Sequence, residues 1–156
     1  MKTVDAALAR WRASGVPLQS GIAEPTVLAS LGGVGRHASS DVVSLFAAVN
    51  GMDAGESDSR MFSLWSLDRR VAEASCFGEH FLPFADFLIE SCLFLLKRES
   101  AEHSSVWIQY GRSGVPRLVA ASVDEFFDFL MNTPNRVEVV HFDATGEANS
   151  SHLAQR

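Results

Sequence analysis

Apolar residues change their spacing several times along this chain, and each change marks an element. Val4, Leu8 and Trp11 recur at helical spacing between Thr3, which can cap, and Gly15, which can stop, so a first helix is predicted in TVDAALARWRASG. EPTVLASLG predicts a second, with Pro25 suited to its first turn and Gly32 to its end. GGVGRHASS then reads as a joint. Val42, Val43, Leu45, Phe46 and Val49 predict a third helix over Ser40–Val49, closed by Asn50 and Gly51 as a left-handed cap. The polar loop MDAGESDS leads into RMFSLW, a short apolar strand, and SLDRRVAEAS is again helical.

The densest apolar stretch is FLPFADFLIESCLFLLKR, residues 81–98. Asp86 and Glu90 interrupt it, and its charge-free part falls far short of the roughly 20 apolar residues that a membrane-spanning helix needs. Pro83 argues against one continuous helix, and the Phe, Leu and Ile content predicts two adjacent strands. In SSVWIQYGRSGVPRLVA, Val106, Ile108 and Tyr110 alternate with Trp107 and Gln109, and a glycine-containing loop precedes Arg117–Ala120, which predicts a β-hairpin. SVDEFFDFLMN predicts a helix opened by the Ser122/Glu125 capping box, with Val123, Phe126, Phe127, Leu130 and Met131 on its apolar face. NRVEVVHF suggests a last strand, and the small polar residues from Asp143 onward suggest an unpacked tail. Helices, then consecutive strands, then a helix define an α+β class: one domain over residues 1–142 with an antiparallel or mixed sheet of about five or six strands covered by helices, and a polar tail over 143–156.

Charge narrows the function. Thirteen Lys and Arg against nineteen Asp and Glu leave a net charge of −6, the wrong sign for gripping a phosphate backbone, so nucleic-acid binding is not expected. Asp5 and Arg10 interrupt what would have to be the apolar core of a secretory signal, and the expected compartment is the cytoplasm. Cys76 and Cys92, in apolar surroundings and without a second pair, are expected as buried free thiols.

Candidate chemistry is sparse. Asp86 and Glu90 would share a face whether helical or extended, but no His, Lys or Arg lies within residues 84–92 to separate their pKa values as acid/base work requires, so they are expected on the polar face of a sheet whose other face carries Phe87 and Ile89. The five histidines include no i, i+4 pair. Gly32–Gly35 follows a helix rather than a strand and lacks a Lys-Ser/Thr partner, so it is not a phosphate loop. Ser40 and Ser122 are explained as helix caps, and Trp11, Trp65 and Trp107 as core.

The order of these signals resembles the SUKH superfamily. SSDVVSLFAAVNGM resembles its helix ending in Asn-Gly, RMFSLWSL its following strand, LPFADFLIESCLFLLKR its central strands and VAASVDEFFDFLMN its closing helix. The likeness runs over roughly residues 20–135, with two departures: Val123 where an aromatic is common, and a glycine-rich entry to the third helix where a Leu-Pro start is usual. The resemblance implies an α+β domain that works without metal or cofactor as a binding module, most often an immunity protein that neutralises a bacterial toxin, sometimes a regulator or scaffold. Asn50, Gly51, Asp86, Phe126 and Phe129 match its pattern, and each is accounted for structurally.

Two readings follow: a non-enzymatic protein-binding domain facing a basic toxin surface, or a small-molecule binder or enzyme with a pocket between the sheet and the RRVAEAS helix. For the first, the acids Asp53, Glu56 and Asp58 of the polar loop are the expected contact residues, since loops on a rigid scaffold often carry recognition and these side chains are not expected in a core. Glu90 and Gln109, expected on an exposed sheet face, are the second candidate surface.

Overall fold

The computed structural model describes residues 1–132, and the expected strand at 135–142 and tail at 143–156 lie outside them. Three helices, α1 (Lys2–Ala13), α2 (Glu24–Gly33) and α3 (Ser40–Ala48), precede β1 (Phe62–Leu64) and α4 (Leu67–Glu73), which runs into a 3₁₀ turn at Ala74–Cys76. The strands β2 (Phe81–Phe87), β3 (Cys92–Arg98), β4 (Ser104–Tyr110) and β5 (Arg117–Ala120) follow, and α5 (Val123–Asn132) closes the described chain. The sheet has five strands in the order β1-β2-β3-β4-β5, every neighbouring pair antiparallel, which is the expected α+β architecture.

The unbroken apolar run of β3 has a simple cause: both faces of the strand are covered. Cys92, Phe94 and Leu96 enter the main core with Phe84, Val106 and Ile108 and with the apolar faces of α1, α3 and α5. Leu93 and Leu95 point the other way and pack with Trp65 and Phe77 in a second, smaller cluster bordered by Phe81 and Trp107. Phe126 of α5 sits at the centre of the main core, its ring 4.9 Å from that of Phe94, 5.5 Å from Phe84 and 5.7 Å from Phe127. Pro83 is tolerated in β2 because β1 reaches only as far as the Leu64–Ala85 pair, so Pro83 lies beyond the end of that partner, next to an irregularity in the β2–β3 register.

Several local expectations need correction. Asn50-Gly51 is not a left-handed cap on α3, which ends through an extended Val49. Instead Asn50 Oδ1 accepts from the Leu67 N–H at the start of α4, and Gly51 passes so close to β1 that an added Cβ would lie 2.5 Å from the Trp65 carbonyl carbon. Thr3 lies inside α1, and Asp124 of α5 accepts from the Thr3 and Val4 N–H groups, capping α1 from the last described helix. The capping box forms as read, except that Glu125 reaches back to the Ala121 N–H rather than to Ser122. Cys92 is buried but Cys76 is exposed, because it ends the 3₁₀ turn with its neighbour Phe77 turned inward instead.

Candidate functional site: the turn end of the sheet

Of the five residues expected to meet a partner, two lie on the surface as read. Asp53 and Glu56 are exposed on the loop before β1. Asp58 is 7% exposed and belongs to the core after all. Its carboxylate accepts from Trp11 Nε1 at 3.2 Å, from the Arg60 and Phe62 N–H groups at 2.9 and 3.0 Å, and from the Arg60 guanidinium at 3.1 Å. A buried carboxylate is sustained by such donors, and this one ties α1 to the entry of β1. Gln109 is also buried. Its amide donates to the carbonyls of Gly111 and Arg112 at 3.0 and 2.9 Å, which folds the β4–β5 loop over the sheet end instead of presenting a surface contact.

Asp86 is buried as well, which corrects its placement on a polar sheet face. Glu90 lies beyond β2, in the β2–β3 turn. The basic groups absent from their own segment arrive from other elements. Arg69 of α4 stacks its guanidinium 3.6 Å over the Trp65 ring, lies 3.6 Å from Asp86 and donates to Glu90 Oε1. Arg112, placed by the Gln109-anchored loop, donates to Glu90 Oε2 at 3.0 Å and to Glu73 of α4 at 2.7 Å. Hydrogen bonds to Glu73 and then Glu90 hold the Arg112 guanidinium more firmly protonated than usual. Asp86 completes the cluster by accepting from Trp65 Nε1 and from the Glu90 N–H. Each carboxylate oxygen of Asp86 and Glu90 therefore accepts from a protein donor.

What this cluster fixes is an unusual turn. Ser91 N–H donates to the Leu88 carbonyl at 3.2 Å, enclosing Ile89 and Glu90, whose φ values are +52° and +63°; Leu88 is also left-handed at +52°. Tight hairpin turns with two left-handed central residues are normally Asn-Gly. A left-handed residue other than glycine costs about 1–2 kcal/mol, and a β-branched one is a genuine outlier. Ile89 nevertheless stands there 80% exposed, not packed beside Phe87 as its place in the apolar run predicts. Met61, left-handed at +65° and also exposed, follows the acidic loop, and its carbonyl accepts from the Leu88 N–H at 3.1 Å. Met61, Ile89, Glu56, Arg69 and Glu90 line a shallow concavity of about 190 Å³.

Sequence reasoning did not single out Arg69, Arg112, Met61 or Ile89. The one available signal was negative: no Gly, Asn, Asp or Pro lies between Phe87 and Cys92, so a tight turn had to be made from unsuitable residues. Among the described residues no group of three His, Cys, Asp or Glu is placed to hold a metal ion, and no helix is long and apolar enough to cross a membrane. Compared with family models, with curated proteins and with solved structures, the chain matches none.

Proposed function

We propose that this chain is a non-enzymatic protein-binding domain of the immunity type, acting in the cytoplasm, which occludes a basic surface on a toxin with the turn end of its sheet. The observation that carries this reading is the charge on that end. Glu73, Asp86 and Glu90 face Arg69 and Arg112, three negative charges to two positive. The exposed Glu56, which lines the same concavity, adds one more, and Asp53 is exposed on the same loop, on a protein whose net charge is already −6. An acidic patch on a rigid support speeds encounter with a basic partner and disfavours wrong ones. The likeness of the element order to the SUKH superfamily supports the immunity form of this reading.

The test is isolation of the tagged chain from cells that carry it natively, followed by purification of each protein recovered with it. The expected result is one basic protein that forms a stoichiometric complex with the chain and loses its toxic activity when bound. Recovery of a retained small molecule with no stoichiometric protein would overturn the reading in favour of a small-molecule binder.

A further inference from the structure

We infer that Ile89 is an anchor residue, held outward by the charged cluster so that it can enter an apolar pocket rimmed by Lys and Arg on a partner protein. This rests on the protein-binding reading above and adds to it the contact and the chemistry of the pocket. Three observations converge on it. The side chain is large, apolar and 80% exposed, whereas the residues before and after its turn, Phe87 and Cys92, are buried. Its backbone occupies a left-handed conformation that a β-branched residue rarely adopts, and such outliers persist only where the surroundings over-determine them. Those surroundings are present: Glu90, the next residue, is gripped through both carboxylate oxygens by Arg69 and Arg112 and through its N–H by Asp86.

The consequence is a side chain that loses little freedom on docking, because its backbone is already fixed, and preorganisation of this kind is what makes a single contact count. Interface hot spots have this form, a central apolar anchor ringed by polar groups that exclude water. Charge selects the occupant. A two-fold contact centred on Ile89 would bring Glu56 and Glu90 of a second copy, which line the same concavity, close to their own counterparts, so like charges oppose self-association. A pocket with a basic rim meets favourably the excess of Glu56, Glu73, Asp86 and Glu90 over Arg69 and Arg112 around Ile89.

The experiment places a photo-crosslinking amino acid at position 89, and in a separate variant at position 28, where Leu28 of α2 is 45% exposed beside Arg98, at the opposite end of β3 from the turn. Both variants are irradiated in cells that carry the chain natively. The protein joined at position 89 is then purified and titrated with the wild type, Ile89→Gly, Ile89→Asn and Leu28→Ala. We expect joining at 89 and not at 28, affinity lowered at least about 30-fold by either change at Ile89, and no change for Leu28→Ala. Ile89→Gly should keep or raise the thermal midpoint, since glycine relieves the left-handed residue, so its loss of binding cannot be ascribed to unfolding. A partner that binds Ile89→Gly and Ile89→Asn as tightly as the wild type would sink the anchor while leaving the protein-binding reading intact. Joining of the chain to itself would overturn the choice of occupant, and the absence of any protein partner would remove both inferences together.

Discussion

Asp58 and Trp11, forty-seven residues apart, are joined by a buried hydrogen bond from the indole Nε1 to the carboxylate at 3.2 Å. The same carboxylate holds Arg60, whose guanidinium also reaches the Leu130 carbonyl at the end of α5. One acid of an apparently solvated loop thus links α1, the entry of β1 and α5.

Asp58→Ala should therefore cost about 3 kcal/mol, because it leaves the buried Trp11 and Phe62 N–H groups without their acceptor and removes the carboxylate partner of Arg60. Asp53→Lys with Glu56→Lys should leave the urea midpoint nearly unchanged while slowing association with a basic partner and altering its salt dependence. Equal midpoints for Asp58→Ala and the wild type would show that the buried carboxylate contributes nothing.

Arg70 poses the opposite case. It is fully buried, its Nε donates to the Trp65 carbonyl at 2.8 Å, and its guanidinium lies 4.1 Å over the Phe46 ring, yet among the described residues neither terminal nitrogen has a hydrogen-bond acceptor. Burial lowers its pKa to about 9. The penalty for burying such an ion is several kcal/mol, against about 2 for the ring contact and about 1.5–3 for the single bond. Arg70→Met, which keeps the volume, should be neutral or stabilising by up to about 2 kcal/mol in equilibrium denaturation. A loss above about 3 kcal/mol would show that the stacking outweighs the desolvation.

The two thiols should separate cleanly. At pH 8 a disulfide reagent should modify one equivalent rapidly, at exposed Cys76, and the second only on unfolding, because Cys92 is buried and its pKa is raised to about 11 from 9.0 by desolvation. The neutral thiol is favoured in the fold, so its contribution to stability is complete below pH 9 and is lost as pH rises towards 11. Arg70 acts in the other direction over the same range, since its folded-state pKa is depressed. The Cys92 slope is therefore read in the Arg70→Met background, where a further Cys92→Ala change should reduce it, leaving the same-sign contribution of Tyr110, whose pKa burial also raises. Rapid modification of both thiols in the native state would contradict the buried placement.

Phe126→Ala should cost about 3–5 kcal/mol, the range for a buried aromatic replaced by a small residue. Its ring lies within 6.1 Å, centre to centre, of Phe62, Phe84, Phe94 and Phe127. Leu130→Ala should act in the same way at about 2–5 kcal/mol. Thermal melts by circular dichroism decide both, and an unchanged midpoint would place that helix face at a partner surface.

Elements were legible in the sequence because their signals are local. The helical spacing of Val123, Phe126, Phe127 and Leu130, the alternation in β4 and the acidic loop before β1 all needed only neighbouring residues to be read. The destiny of single polar groups was not legible, because their partners come from elsewhere. Asp58 is buried on account of Trp11, Asp86 on account of Trp65 and Arg69, and Gln109 on account of a loop that has to return to it. Ile89 was misplaced for a related reason. The apolar run continues across the β2–β3 turn without a residue that marks it, and only a turn held by Arg69 and Arg112 sends that side chain outward.

The capping of α1 by Asp124 spans a sequence separation of 121 residues, and this sets an order of events during synthesis. At about 5–20 residues per second, α1 leaves the ribosome roughly 6–24 s before its cap can follow. Over that interval Val4, Leu8 and Trp11 have neither α5 nor the finished sheet to cover them. The meander β1–β5 can meanwhile form by successive hairpins, each strand pairing with the one just made. Of the described helices, α1 emerges first and is thus among the last to dock, which leaves its apolar face open in the meantime to a chaperone that recognises apolar helices.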